Sequence, residues 1–213
     1  MLKQKKVKIF AIILAATLVV VIIAQAFIMK GVSKTERHAY EVLEQWGDVE
    51  IRRYASALFS SVELPDKPYR EVSGSGFRVL AGYIFGGNES GEKIAMTSPV
   101  VMEYSDTPRM MFMVPSEYNR EQLPAPNDKR IQFHEEESCV MAVVRFGGWA
   151  DDAKIADYRK KLEQALDEKG VAHSGVFRYM GYNPPYEVSN RRNEVAVELI
   201  GYSNPVDNVI SGQ

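Results

Sequence analysis

Hydrophobic and polar residues alternate along much of the chain, and this two-residue period predicts short β-strands. The clearest case is residues 194–200, in which valine and leucine take one face and glutamate takes the other, as in a half-buried strand. The same pattern predicts strands at 57–64, 93–104, 109–114, 138–146 and 176–182. Because proline has no backbone N–H to donate, Pro99 places the 93–104 strand at a sheet edge or a bulge.

Two stretches have the periodicity of a helix instead. Residues 151–169 carry an apolar stripe at three- and four-residue spacing, with Asp151 or Asp152 as the N-cap and Gly170 as the stop. Residues 69–85 have a weaker helical pattern, since three glycines each cost about 1 kcal/mol in a helix interior. These glycines stand at positions 74, 76 and 82. They leave two interpretations open: a poorly formed helix held by tertiary contacts, or a close approach of another backbone or a ligand.

The order of these elements repeats as strand, helix, strand, strand, once in each half of the body. The first half covers residues 57–114 and the second covers 138–200. Two open sheets of this kind can pair into a twisted, barrel-like body with the helices outside. We therefore expect an α+β fold, a twisted β-barrel of two pseudo-symmetric halves flanked by two helices, and we expect it to enclose an apolar space.

A long apolar run comes before the alternating part. From Ile9 to Met29 the only polar residues are Thr17 and Gln25, and about twenty apolar residues span the core of a bilayer. Four lysines precede the run and two follow it, which favours a cytoplasmic N-terminus. The prediction is one N-terminal transmembrane helix at about 9–29, within a signal anchor at 1–30. The protein would then be a single-pass membrane protein with its domain on the extracytoplasmic side.

The alternative to an anchor is a signal peptide that is removed. Ala24-Gln25-Ala26 fits the small-residue cleavage pattern, and the protein would be secreted after cleavage near Ala26. The run is longer than a typical signal-peptide core and continues past this site, which favours the anchor. The rest of the chain divides into a linker at 31–39, a domain at 40–202 and a C-terminal tail at 203–213.

Charge is unevenly distributed along the chain. Residues 1–34 carry six lysines and no acidic residue, which leaves 20 of the 26 basic residues against all 28 acidic residues, a net charge of −8. An acidic body is a poor partner for nucleic acid, because phosphate contacts need lysine and arginine. The content of hydrophobic residues, 46%, and of charged residues, 25%, is that of a globular protein and excludes a disordered chain.

Candidate catalytic chemistry is sparse, so we expect no enzyme. One cysteine, Cys139, excludes an internal disulfide, and three scattered histidines argue against a multi-histidine metal centre. No motif supplies a nucleophile with its base or a phosphate-binding loop. Cys139 is expected to be a half-buried structural thiol. His134 is expected at a surface or rim, with a role as an iron ligand as the alternative, and the metal ligand set stays unknown.

Five strings in order resemble the SOUL haem-binding protein family, over residues 40–202. They are Tyr40-Glu41-Val42-Leu43 with Val49-Glu50-Ile51-Arg52-Arg53-Tyr54, then Ile94-Ala95-Met96-Thr97-Ser98-Pro99-Val100 after Phe85-Gly86-Gly87-Asn88, then Phe146-Gly147-Gly148, Gly181-Tyr182-Asn183-Pro184-Pro185 and Arg191-Arg192-Asn193-Glu194-Val195. The resemblance implies a twisted β-barrel with two flanking helices. It also implies binding of haem or another tetrapyrrole without enzymatic turnover.

The resemblance is weaker at the places that would hold haem. Family members use basic side chains of the first helix for the propionates, whereas this chain has Ser73-Gly74-Ser75-Gly76 there and keeps only Arg70 and Arg78. Some members are proposed to bind iron through a histidine, which matches none of the three histidines here. Haem would therefore bind non-covalently and with weak axial ligation.

A haem site needs apolar walls and a cation at the rim. The candidate residues for such a site are Val72, Phe77, Arg78, Leu80, Met96 and Met111. Arg78 would meet a propionate and the others would supply walls, for which flexible methionine side chains are suited.

The leading hypothesis is a membrane-tethered haem-binding carrier, buffer or sensor, with the lipid bilayer and a tetrapyrrole as partners. A second hypothesis is a binding module for another apolar or cationic small molecule, like the effector-binding domains of regulators. It requires a buried carboxylate, with Glu103 and Glu198 as candidates. A third is a protein-interaction module without a ligand, which would have a filled barrel and an exposed apolar patch.

Overall fold

A computed structural model describes residues 13–20 and 35–202 of the chain. Residues 13–20 form a helix, α1. The remaining elements are, in order, β1 (Tyr40–Trp46), β2 (Val49–Tyr54), β3 (Ala57–Glu63), α2 (Tyr69–Ile84), β4 (Val100–Tyr104), β5 (Arg109–Met113), β6 (Gln132–Glu136), β7 (Cys139–Gly147), α3 (Asp152–Lys169), β8 (His173–Gly181) and β9 (Arg192–Leu199).

The chain divides into two compact units. One unit comprises Met1–Thr35 and Pro184–Val188, and the other comprises Glu36–Asn183 and Ser189–Gln213, with all nine strands and both longer helices. In the described residues, no helix combines the length and the apolar character that crossing a membrane requires. Most of the predicted anchor at 9–29 lies outside the described residues, as do residues 31–34 of the predicted linker and the tail at 203–213.

The nine strands form one antiparallel sheet in the order β1-β2-β7-β9-β8-β4-β5-β3-β6. The trio β3-β5-β4 from the first half and the trio β7-β9-β8 from the second meet through the pair β4–β8. The strands before each trio are exchanged: β2 pairs with β7, and β6 pairs with β3. This arrangement confirms the two pseudo-symmetric halves and the α+β class.

The predicted barrel is wrong in one respect, because the sheet curls without closing. Its two edge strands, β1 and β6, are not hydrogen-bonded to each other. The chain passes from β2 into β3, and from β6 into β7, through two residues each time. The β2–β3 and β6–β7 connections therefore link strands near the two opposite edges of the sheet. In a closed barrel, hydrogen bonds between the edge strands would make this link.

The segment around Pro99 also differs from its prediction. The strand expected at 93–104 begins only at Val100, and the Ser98–Pro99 bond is cis. The N-terminal end of the domain runs beside it: Ser98 donates to the Glu36 carbonyl at 2.9 Å, and the His38 amide donates to the Ser98 carbonyl at 3.1 Å. The irregular segment is therefore paired, but with the end of the predicted linker and not within the sheet ladder.

Both longer helices occur where the sequence predicts them. Asp151 caps α3 by accepting a bond from the Lys154 amide at 2.9 Å, and Gly170 ends it in the left-handed conformation with φ 63°. Helix α2 has no side-chain cap of its own at Pro68. Instead, the Asp152 carboxylate of α3 accepts a bond from the Tyr69 amide at 2.5 Å, which links the first turns of the two helices.

One of the three glycines in α2 is needed for packing. A Cβ atom at Gly76 would lie 2.8 Å from Leu64 Cδ2 and 3.3 Å from Met110 Cβ, so any larger residue would require these side chains to shift. At Gly74 and Gly82 a Cβ atom would meet nothing within 4 Å. The predicted close approach of other parts of the chain therefore occurs at Gly76. At Gly74 and Gly82 the backbone of the helix is exposed on the side where a side chain would stand.

The two faces of the sheet carry separate cores. The face toward the helices packs against α2 and α3 through residues such as Leu80, Leu162 and Leu166, each fully buried. The inner face of the curl carries a second cluster of ten buried residues: Tyr54, Phe59, Val101, Met111, Met113, Met141, Val143, Met180, Tyr182 and Ala196. The prediction of an apolar space inside the barrel is therefore wrong, because these side chains fill the interior.

A buried group of charges lies beside this inner cluster. Arg52 donates to both oxygens of Glu194, at 2.9 and 3.1 Å, and Arg192 Nε donates to Glu194 Oε1 at 2.9 Å. The Tyr182 hydroxyl donates to the same carboxylate at 2.8 Å. Burial alone would raise the pKa of Glu194, but the hydrogen bonds and charge of Arg52, with the charge of Arg192, hold it below its ordinary value.

We expect Glu194→Ala to lower the free energy of unfolding by about 3–5 kcal/mol, because it leaves Arg52, at 2% exposure, with only the half-buried carboxylate of Glu50, 2.8 Å from its Nε. Urea denaturation of the variant and the parent measures this difference. The matched control is Glu198→Ala, an exposed glutamate on the same strand, which should change stability by no more than about 0.5 kcal/mol.

The same pair predicts the pH dependence of the parent. Since folding lowers the pKa of Glu194 below its ordinary 4.5, its contribution is complete above pH 4.5. It is lost as the pH falls from there through the native pKa. Equal stability of Glu194→Ala and the parent at neutral pH would contradict this account.

Candidate ligand-binding surface

The structure does not bring the six predicted site residues to one surface. Val72 and Leu80 are buried between α2 and the sheet. Met111 is fully buried on the inner face, on the other side of the sheet. Met96 is half-buried beside a cavity of about 10 Å³, room for about one water molecule. Only Phe77 and Arg78 lie on the exposed side of α2.

The exposed side of α2 is flat and largely apolar. Seven exposed positions lie along it: Glu71, whose carboxylate is 3.9 Å from Lys67, and six that are here called the α2 stripe, namely Arg70, Gly74, Phe77, Arg78, Gly82 and Phe85. At 3.6 residues per turn they fall within an arc of about 140°. Because neither Gly74 nor Gly82 has a side chain, backbone is exposed three residues before each of the two phenylalanines.

The two aromatic residues of the stripe differ in how they are held. The Phe77 ring packs against Phe112 of the sheet with centroids 5.3 Å apart, so it is fixed from below. Phe85, at the C-cap of α2, is 66% exposed. Together they offer apolar area to solvent at two successive positions along the same side of the helix.

The stripe also carries two cations. Arg70 is 3.6 Å from Asp151, an exposed pair that contributes little to stability. Within residues 35–202, Arg78 has no acidic group within 4 Å of its guanidinium. Arg78 is therefore available to an anionic group of a ligand. Its distance from Arg70 along the helix is about 12 Å, at 1.5 Å per residue.

The histidines lie away from this stripe. The His134 ring stacks on Phe59 at the rim of the inner face, with its Nε2 3.7 Å from Glu136. His38 Nε2 bonds the Ala55 carbonyl at 2.7 Å, and burial lowers the pKa of His38. His173 accepts a bond from the Gly175 amide at the start of β8. In the part of the chain that the structure describes, no cluster of three metal-ligating side chains occurs.

Neither carboxylate that the sequence suggested for a cation-binding site, Glu103 or Glu198, is both buried and unpaired. Glu103 is buried, but Arg109 and Arg178 each lie 2.8 Å from its carboxylate. Glu198 is exposed. The most buried carboxylate is Glu194, which the sequence did not suggest and which two arginines neutralise. None of these three is a buried, unpaired negative charge for a cationic ligand.

Cys139 lies half-buried at the start of β7. Burial raises the pKa of its thiol to about 11. The thiol is therefore protonated at neutral pH, as expected for a structural cysteine and not for a nucleophile.

Phe85 was not predicted as a site residue, and Gly82 was identified only as a glycine that permits a close approach. Strand β6 was not predicted. The exposure of Phe85 and Gly82 can be predicted from the helical period once the buried side of α2 is known. Both residues face away from the side of α2 that carries Leu80 and Ile84. The internal pairing of Arg52 with Glu194 joins positions 142 residues apart and has no local signal.

The family description "SOUL heme-binding protein" matches residues 35–198. Heme-binding protein 1 of Xenopus laevis is 33% identical over 154 residues, which cover 68% of this chain and 80% of that protein. Heme-binding protein 2 of Homo sapiens is 30% identical over 160 residues, covering 71% and 78%.

Among solved structures, the C-terminal domain of EcmrR superposes with a TM-score of 0.54 at 11% identity, over 76% of this chain and 99% of that one. At this identity the likeness shows the fold alone. The match to the family description covers most of the sheet and both flanking helices, and it includes the five strings in order. The chain belongs to the SOUL heme-binding protein family.

Proposed function

We propose that this protein binds haem or a related tetrapyrrole on the α2 stripe and acts as a membrane-tethered carrier, buffer or sensor, without enzymatic turnover. Family membership supports haem binding. The observation that carries the location is the combination of bare glycines, two exposed phenylalanines and two arginines on one side of α2.

The stripe fits the chemistry of haem, a flat apolar ring with two carboxylates. Bare backbone at Gly74 lets a flat ring approach the helix, and Phe77 and Phe85 add apolar area at about 25 cal/mol per Å² covered. A guanidinium such as that of Arg78 binds a propionate through charge-assisted hydrogen bonds. A ring that lies on an open surface is covered on one face only. Binding is therefore weak and exchangeable, as a carrier or buffer requires.

Iron ligation plays a small part in this proposal. None of the three histidines lies on the α2 stripe, and the interior, where His38 and His134 contact Phe59, is filled. Affinity then comes from the burial of the ring and from the arginines.

Membrane tethering through residues 9–29 is part of the same proposal. The lysine asymmetry supports a cytoplasmic N-terminus and a domain on the extracytoplasmic side. The described part of the run supports it further, since α1 leaves Ile13, Leu14 and Leu18 about 60% exposed. Exposed aliphatic residues of this kind are stable in lipid and costly in water.

A protein-interaction module is the second candidate, favoured by the filled interior and by the exposed Phe85. The cation-binding alternative has less support, because Glu103 and Glu194 are both neutralised by arginines. A haemin titration separates the candidates, since only the haem-binding proposal requires a saturable change in the visible spectrum.

We expect Arg78→Ala to weaken haemin binding about tenfold, which corresponds to about 1.4 kcal/mol for one lost propionate contact. Gly74→Leu should weaken it further by filling the space over the helix. It should leave the fold intact, since a Cβ atom there meets nothing within 4 Å. Haemin titrations followed by absorbance, with circular dichroism to check folding, measure both effects.

The matched control is Lys160→Ala, which removes one exposed positive charge from α3 instead of α2 and should leave the haemin affinity within twofold of the parent. If Arg78→Ala and Gly74→Leu are folded and bind haemin like the parent, the α2 stripe is not the site.

For the N-terminus, we expect the protein to stay in the membrane fraction with its first residues intact, because the apolar run continues past Ala26. Cell fractionation followed by N-terminal sequencing or intact mass tests this. A mature chain that begins at Phe27 and is released from membranes would show cleavage and contradict the anchor.

A further inference from the structure

A cleft of about 710 Å³ lies between one flank of α3 and the adjoining end of the sheet. It is bounded by the β1–β2 turn, the C-terminal end of β7, the middle of α3 and the residues just before β9. Small-molecule sites commonly have volumes of about 300–1,000 Å³. Helix α2 packs against β3 and β5, whereas α3 packs against β7, β8 and β9, so this α3 cleft and the α2 stripe belong to different halves of the domain.

Aromatic and aliphatic side chains line part of the cleft. Trp46 and Tyr158 are half-buried, and Phe146 is buried behind Tyr158. The rings of Phe146 and Tyr158 are stacked, with centroids 4.5 Å apart and planes 17° apart. Val49 and Val144, a directly paired cross-strand couple, supply aliphatic surface. The cleft therefore has fixed apolar surface for a flat aromatic group.

Positive charge surrounds these rings. Arg145, Lys161 and Arg191 line the cleft together with a single acidic residue, Asp48. Lys169 stands just outside, with its ammonium 5.6 Å from the centre of the Trp46 ring. A local excess of positive charge is notable in a body whose net charge is −8 over residues 35–213, because it attracts anions that the rest of the surface repels.

Of the acidic groups near the cleft, Asp48 lines it, whereas Glu44 and Asp157 already have partners. Glu44 accepts a bond from the Trp46 indole N–H at 2.8 Å and one from the Tyr202 hydroxyl. Asp157 is 3.8 Å from Lys161, but both side chains are more than half exposed, so the pair is weak. An anionic ligand can replace Asp157 as the partner of Lys161 at little cost.

From this geometry we propose that the α3 cleft is a second binding site, for small planar aromatic carboxylates. The aromatic part of the ligand lies against Trp46, and the carboxylates meet Lys161 and Arg145, since the Arg191 guanidinium already stacks on Trp149 at 4.1 Å and donates to the Asn183 carbonyl. A carboxylate on a guanidinium forms paired, charge-assisted hydrogen bonds, and an aromatic ring packs favourably beside an indole. The site does not depend on haem binding at the α2 stripe.

The test uses naphthalene-2,6-dicarboxylate as the probe and the full-length protein labelled with nitrogen-15. The chain has two tryptophans, so its spectrum holds two indole N–H signals, and Trp149→Phe identifies the signal of Trp46. We expect a saturable shift of that signal. The neutral analogue naphthalene-2,6-dimethanol should bind at least tenfold more weakly.

Charge variants then assign the contacts. Lys161→Gln should weaken the dicarboxylate threefold or more, whereas Lys160→Gln, which removes a neighbouring exposed charge of α3 outside the cleft, should change the affinity by less than 1.5-fold. Arg78→Ala should not change it, which keeps this result separate from any result for haem at the α2 stripe. Absence of a saturable Trp46 shift, equal binding of the neutral analogue, or equal effects of the two lysine variants would each overturn the proposal.

Discussion

The buried carboxylate of Glu194 governs what the inside of this domain can do. Two arginines and a tyrosine hydroxyl surround it, and both Glu194 and Arg52 are almost completely withdrawn from water. Such a group is stable only while every partner is present, since a single buried charge left unpaired costs several kcal/mol. Together with the ten packed side chains beside it, this network leaves the interior of the curled sheet without room for a ligand.

Function is therefore assigned to the outer surfaces, where the two helices differ. On α2 the glycines remove side chains and leave exposed backbone beside two phenylalanines and two arginines. Beside α3 the same acidic domain gathers cations around aromatic rings. The two surfaces lie on corresponding elements of the two halves, so the same order of elements presents two different chemical surfaces.

Local patterns in the sequence predicted much of this fold. The alternation at 194–200, the Asp151 cap and the Gly170 stop correspond to β9 and α3, and the repeated element order corresponds to the two paired trios. The curl and its filling were not predictable, because they depend on contacts between distant positions such as Arg52 and Glu194. The candidate site was predicted in part. Phe77 and Arg78 are exposed on α2, but Leu80 and Met111 are buried on opposite sides of the sheet, and no periodicity distinguishes a core methionine from one that lines a site.

The central claim is that haem lies on the outside of the domain, along α2. Paramagnetic broadening of backbone amide signals by haemin locates the iron directly, without any substitution. The account predicts broadening centred on residues 70–85, with sharp signals for Met141 and Ala196 in the interior. Broadening centred on those interior strands, or on the residues of the α3 cleft, would contradict it.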